Sequence, residues 1–134
     1  MAKEISRLQT IAFFGTVGAS TGKTLVSKRI ERPFKIKEIA ASFAPGVNRL
    51  MNLEFYISPD DSEPTAKPLT GTNFLASLGH VGYITGDDER KEMKTEVEMH
   101  EGGYYLKVFA DNSDTYEHTI DAQITIELFY EVPE

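Results

Sequence analysis

The amino-acid sequence predicts an all-β protein: a single antiparallel β-sandwich, jelly-roll or immunoglobulin-like, of about seven or eight strands with an N-terminal arm. Three observations carry that reading. Residues 93–129 fall into three alternating runs separated by Glu101-Gly102-Gly103 and by Asp111-Asn112-Ser113-Asp114. In the first run Met93, Thr95, Val97 and Met99 point one way, and Glu92, Lys94, Glu96, Glu98 and His100 the other. In the last, Ile120, Ala122, Ile124, Ile126 and Leu128 share a side opposite Thr119, Asp121, Gln123, Thr125 and Glu127. A side-chain period of two over this length marks half-buried antiparallel strands. Turn chemistry then recurs along the whole chain at roughly 8–15-residue spacing. Finally, no strand–helix alternation appears, which excludes a parallel nucleotide-binding sheet. The three runs read as a meander whose apolar face the rest of the chain covers.

Residues 1–22 read as an arm and loop, and residues 23–134 as the sandwich domain. Residues 1–9 are polar and of mixed charge, so they form the arm and do not resemble a signal peptide. Residues 10–14, Thr-Ile-Ala-Phe-Phe, are a short run of high β propensity. Three glycines make 15–22 a loop. Residues 24–30 suit an edge strand, since Lys28 and Arg29 discourage pairing with strangers.

Pro33 breaks the chain, and the next run slips in parity. Phe34 and Ile36 share one face, while Ile39, Ala41 and Phe43 take the other, so a β-bulge is expected near Glu38. Residues 44–48 turn, and 50–58 form a clean strand with Met51, Leu53, Phe55 and Ile57 inward and Asn52, Glu54 and Tyr56 outward. The longest loop, 58–72, carries Pro59, Pro64 and Pro68. Its composition does not pack on itself. It is expected to present outward or to clasp a neighbour. Residues 73–78 suit one helical turn with Asn73 as N-cap. Residues 80–84 suit a short strand, and 85–89 an acidic turn.

At 134 residues the chain is long enough for a core of its own, and it contains no cysteine, hence no disulfide framework and no thiolate chemistry. No apolar run reaches the roughly 18 residues a membrane-spanning helix needs. The net charge of −7 is unevenly spread. Residues 1–49 hold nine Lys and Arg against three acids, a balance of +6, and the remaining 85 residues carry −13. An acidic body disfavours nucleic acid, whereas the basic part suits an acidic protein surface, including another copy of the chain.

Residues 10–24 imitate a phosphate-binding loop, ending in Gly22-Lys23-Thr24. The first glycine of that motif must precede the Gly-Lys pair by four intervening residues. Val17 occupies that position and Gly18 is one residue too close. Three acidic clusters remain: Asp60/Asp61/Glu63, Asp87/Asp88/Glu89 and Asp111/Asn112/Asp114/Glu117. Calcium seeks several hard oxygens on loops, and Asp111, Asn112 and Asp114 are the best candidates for it. His80, His100 and His118 show no metal or catalytic spacing, and no carboxylate pair is assignable, so the chain is expected to be no enzyme. The tyrosines at 56, 83, 104, 105, 116 and 130 are candidates for an aromatic face that stacks on sugars or meets other subunits. The absence of tryptophan weakens the sugar reading.

The pattern of Phe34–Phe43, of 48–58 with the Pro59-Asp60-Asp61 that follows, of Gly86-Asp87-Asp88-Glu89, and of 105–111 running into 118–127 resembles small β-sandwich accessory proteins of tailed-phage virions. These are capsid decoration (cement) and tail-associated modules. The resemblance spans about 100 residues in strand layout and carries over no functional residue. It implies a homo-oligomer gripping a larger protein assembly, with arm contacts, made in a host cytoplasm and resident in the virion. From charge, hydropathy and motifs, no nucleic-acid or membrane partner and no cofactor is expected, calcium being the one candidate ion. Residues 1–32 are expected at interfaces, with Arg7, Lys28, Arg29, Arg32, Tyr104 and Tyr105 as contact residues. The alternative is a carbohydrate-binding or adhesin module with a loop-bound calcium. The histidines keep a small jelly-roll enzyme as a third reading.

Overall fold

A computed structural model describes residues 2–133, with side chains from Ile5 to Glu131. Eight strands and one short helix follow in order: β1 (Ala2–Val17), β2 (Thr21–Val26), β3 (Phe34–Phe43), β4 (Met51–Ser58), β5 (Thr72–Asn73), α1 (Phe74–Ser77), β6 (Glu89–Met99), β7 (Tyr105–Asn112) and β8 (His118–Pro133). They form two antiparallel sheets, ordered β1-β8-β3-β6 and β2-β7-β4-β5.

Within these orders β1 lies beside β8, β2 beside β7, β3 beside β6 and β4 beside β5. That nesting is one long hairpin rolled up, so that successive strands fall in opposite sheets except at its tip, where β4 and β5 are neighbours in one sheet. It is the jelly-roll winding, and it decides between the two sandwich topologies left open by the strand list.

The meander expected over residues 93–129 is therefore corrected. Its three strands exist as β6, β7 and β8, but β7 belongs to the opposite sheet from the other two. The connection from β6 to β7 crosses between sheets on Gly102 and Gly103. Gly103 takes φ of 99°, and a Cβ on Gly102 would collide with the Glu31 carbonyl. Glycine is what permits both the left-handed turn and the close approach.

Residues 1–22 are also placed differently from an arm and loop. β1 runs in register with β8 from Ala2 opposite Pro133 to Val17 opposite His118. Side chains from Ser6 to Thr10 are exposed, which makes the segment read as an arm although its backbone is paired. β3 pairs with β8 only as far as Phe34 opposite Leu128, so the outermost part of the β1–β8 ribbon overhangs the sandwich. Residues 80–84, expected as a strand, contribute a single bridge between Ile84 and Leu53.

The parity slip in β3 has the expected cause. Its register shifts between Ile36 and Glu38 against both neighbouring strands. Against β8 the extra residue is Lys37, so Phe34 and Ile36 before it and Ile39, Ala41 and Phe43 after it all face the core. Phe34, Ile36, Ile39, Met51, Leu53, Phe55, Leu106, Val108, Ile120 and Ile124 are fully buried between the sheets. Asn73 caps α1 as expected, its side chain accepting from the backbone N–H of Leu75 and Ala76. The helix closes one end of the core with Phe74 and Leu75.

Candidate functional site

Two strand edges bound each sheet, and their chemistry differs. β6 presents Glu89, Arg90, Lys91, Glu92, Lys94, Glu96 and Glu98 within 11 residues. Charge of that density repels a foreign strand. β5 has two residues and β2 has six, including Lys23. β1 is different: it has 16 residues, and from Leu8 through Val17 it carries no charged side chain and no proline. An edge strand offers a row of unpaired N–H and C=O groups, and β1 leaves that row undefended.

Its outer face is apolar at two points. The even-numbered residues of β1 turn away from the core, where Ser6 bonds Glu127 and Thr10 bonds Thr125 across to β8. On this face Leu8 is 69% exposed and Phe14 is 73% exposed. The odd-numbered Phe13 and Val17 point inward and are buried.

Beside β1 the two sheets part. A groove of about 560 Å³ opens between β1, β8 and the segment 26–32 that follows β2. Ile11, Ile30, Ile126 and Leu128 line it. Lys28, Arg29 and Arg32 stand on its rim, all exposed. Arg29 is held by Glu31, with Nη1 2.7 Å from Oε2, and Arg32 stacks 4.4 Å over the Tyr130 ring. Of the residues expected at an interface, these three cations are thus brought together. Arg7 sits on β1 opposite Leu128, beside the same groove. Tyr104 reaches its edge through a backbone bond to Ile30. Tyr105 pairs with Ser58 in the other sheet and lies apart.

The loop 59–71 folds back on its own sheet. It covers the face of β2, β7 and β4 that points away from the core, so the outward residues of β4 are corrected: Glu54 is 6% exposed and Tyr56 8%. Lys107 on β7 is fully buried beneath it. Its Nζ meets Asp60 Oδ1 at 2.9 Å, Ser62 Oγ at 3.0 Å and Thr70 Oγ1 at 3.3 Å, one acceptor for each ammonium proton. The hydroxyls of Ser62 and Thr70 also donate to Asp60 Oδ1. The Lys107 ammonium, followed by these hydroxyls, holds the Asp60 carboxyl well below the usual carboxylate range. Nearby, the Tyr56 hydroxyl donates to Glu54 Oε1 at 2.8 Å, and Lys67 lies 2.7 Å from Glu54 Oε2. Burial, and then the bond to Glu54, pushes the Tyr56 phenol up. Thr24 donates to the Pro64 carbonyl, and Phe109 is buried in the same layer. A sequence signal for this cover existed: Tyr56 and Phe109 stand at outward positions of their strands, where large rings need something over them.

Asp111, Asn112 and Asp114 do not converge as one ligand set. Asp111 is exposed on the outward side of β7. Asn112 is buried; its amide donates to the carbonyls of Gly18 and Tyr116, and its Oδ1 accepts from the Asp114 N–H. Asp114 Oδ2 lies 2.8 Å from His118 Nε2, a bond that lowers the Asp114 carboxyl below its ordinary value. The cluster therefore braces the turn between β7 and β8 against the turn after β1. Among the described residues, no three His, Cys, Asp or Glu side chains gather as a metal-holding group. His80 and His100 are exposed on separate segments, away from His118.

No protein-family model matches the chain, and no curated protein matches it. Among solved structures it is similar to the Yersinia pseudotuberculosis-derived mitogen, at 12% identity over 87% of this chain and 85% of that one, with a TM-score of 0.49. It is also similar to a chain of the disulfide-linked pili of Bacillus endospore appendages, at 12% identity, 96% and 89% coverage and a TM-score of 0.48. A third likeness is to a chain of the Cyanophage Pam1 capsid, at 9% identity, 95% and 86% coverage and a TM-score of 0.41. The structures it resembles thus include viral capsid and pilus proteins, and the likeness is one of fold.

Proposed function

We propose that this chain is a non-enzymatic structural subunit. It joins copies of itself and binds a larger protein shell, as a capsid decoration or stabilising protein of a virion, and it needs no bound ion. The observation that carries the reading is the undefended edge β1, with Leu8 and Phe14 exposed on it. A folded protein that charges β6 so heavily and leaves β1 bare has one edge built against pairing and one open to it. The apolar groove with its basic rim beside β1 supports the same surface as the contact region. The resemblance of the strand pattern to tailed-phage accessory proteins agrees with that role.

Light scattering at low and high salt tests the reading. A dimer or larger species at both salts is expected, because backbone pairing and apolar contact are weakly screened. A monomer at every concentration and salt overturns it.

A further inference from the structure

The reading of β1 as an assembly edge leaves open which strand it accepts and in what register. Resting on that reading, we propose that β1 pairs antiparallel with β1 of a second copy, about a two-fold axis at Ile11.

The pleat restricts the register. Paired residues of adjacent strands point to the same side of a sheet. The even-numbered residues of β1 face outward and Phe13 and Val17 face the core. A continuous sheet therefore pairs even with even and odd with odd, which places the two-fold on a residue rather than between two.

Among such registers, the one centred on Ile11 sets Leu8 of each copy beside Phe14 of the other, so both exposed apolar side chains are covered twice over by symmetry. Centring on Thr10 sets Leu8 against Ala12 and Phe14 against Ser6. Centring on Ala12 sets them against Thr16 and Thr10. Neither brings the apolar pair together. In the Ile11 register every residue from Ile5 to Val17 has a partner, and the one charged residue in that span, Arg7, faces Gly15. No like charges meet. On the inner side the two Ile11 side chains face each other at the mouths of the two grooves, beside Ile30 and Ile126. The result is a sheet ordered β6-β3-β8-β1-β1-β8-β3-β6, with both of its outer edges charged.

The chain has no cysteine, so introduced thiols report without background. Leu8→Cys and Phe14→Cys are made as separate proteins and treated with a short bis-maleimide, alone and as an equimolar mixture. Light scattering is run on the same samples. The expected result is a covalent dimer in the mixture and none in either protein alone, because in this register position 8 meets position 14 and not itself. Leu8→Lys, in the otherwise unchanged chain, is expected to be monomeric with its melting temperature kept. Cross-linking of a single variant to itself, or a dimer by light scattering that does not cross-link in the mixture, overturns the register while leaving self-assembly standing. A monomeric unsubstituted protein overturns both.

Discussion

Lys107, fully buried on β7, holds Asp60 of the long loop at 2.9 Å. The two are 47 residues apart, and the contact latches a proline-rich segment onto the outside of a finished sheet. A loop with no packing of its own is ordered here by strand residues, Lys107 with Thr24 and Glu54 beside it. Asp60 itself remains 45% exposed, so the latch sits at the rim of the covered layer, where solvent reaches the carboxylate.

Replacing Lys107 by methionine keeps the stem's apolar volume and removes all three hydrogen bonds. The loop is expected to unlatch while the sandwich stays folded. Hydrogen exchange should then accelerate in residues 60–70 and remain slow in β3, β4 and β8. Unchanged protection of the loop would show that Lys107 does not hold it.

Acid gives the same latch a second test. The Asp60 carboxyl titrates below its ordinary value of 3.8 in the folded chain. A depressed carboxylate adds stability that is present above the unfolded value and is lost as pH falls through the folded one. The loop is therefore expected to stay closed at pH 3.8, where an ordinary aspartate is half protonated, and to open at lower pH. Amide signals of Ser62 and Thr70 report the transition. Asp60→Asn should abolish this pH dependence; a variant that opens at the same pH as the parent rules out Asp60 as the titrating group.

The β3 bulge predicts that Lys37 can be either substituted or deleted without losing the fold. Lys37→Ala should cost less than about 0.5 kcal/mol, as for other partly exposed positions. Deleting Lys37 brings Phe34, Ile36, Ile39, Ala41 and Phe43 to one parity, so all five keep facing the core and the ladder to β8 runs without a shift. The deletion variant should therefore still give a cooperative melt. A deletion variant that fails to fold would contradict this account.

Two substitutions near α1 separate packing from capping. Phe55 is fully buried with its ring 6.3 Å from Phe74, and Phe55→Ala should lose about 3–5 kcal/mol. Asn73→Ala removes the helix cap and the bond to the Gly82 carbonyl, at a cost of about 1 kcal/mol. Denaturant melts of the two variants should differ in midpoint by that order.

Particular residues show how much of this was legible beforehand. Hydrophobic parity located the β3 bulge and the inward faces of β4, β6 and β8, because a period of two depends on the strand alone. The Asn73 cap was legible for the same reason, being local. Sheet membership was not. Residues 100–104 and 113–117 are connections long enough to return beside the preceding strand or to cross to the other sheet, and nothing in their composition chooses. The basic rim of Lys28, Arg29 and Arg32 was readable as clustered charge. The exposed pair of Leu8 and Phe14 was not, since an apolar residue in a strand normally reads as core. What reveals them is their shared parity, opposite to Phe13 and Val17, together with the finding that β1 ends a sheet. The clasp is not legible because polar residues such as Asp60, Ser62 and Thr70 read as solvent-facing, whereas here they solvate a buried ammonium.

The nesting of β1 against β8 also has a kinetic side. The hydrogen bond from Ser6 to Glu127 joins residues 121 apart in sequence. Contacts of such separation form late and slow the search for the native state. While the chain is being synthesised, β1 emerges first and its β8 partner last. Throughout that interval β1 has two open edges instead of one, and ribosomes translating one message hold many such strands close together. Pairing between nascent neighbours thus competes with completion of the roll.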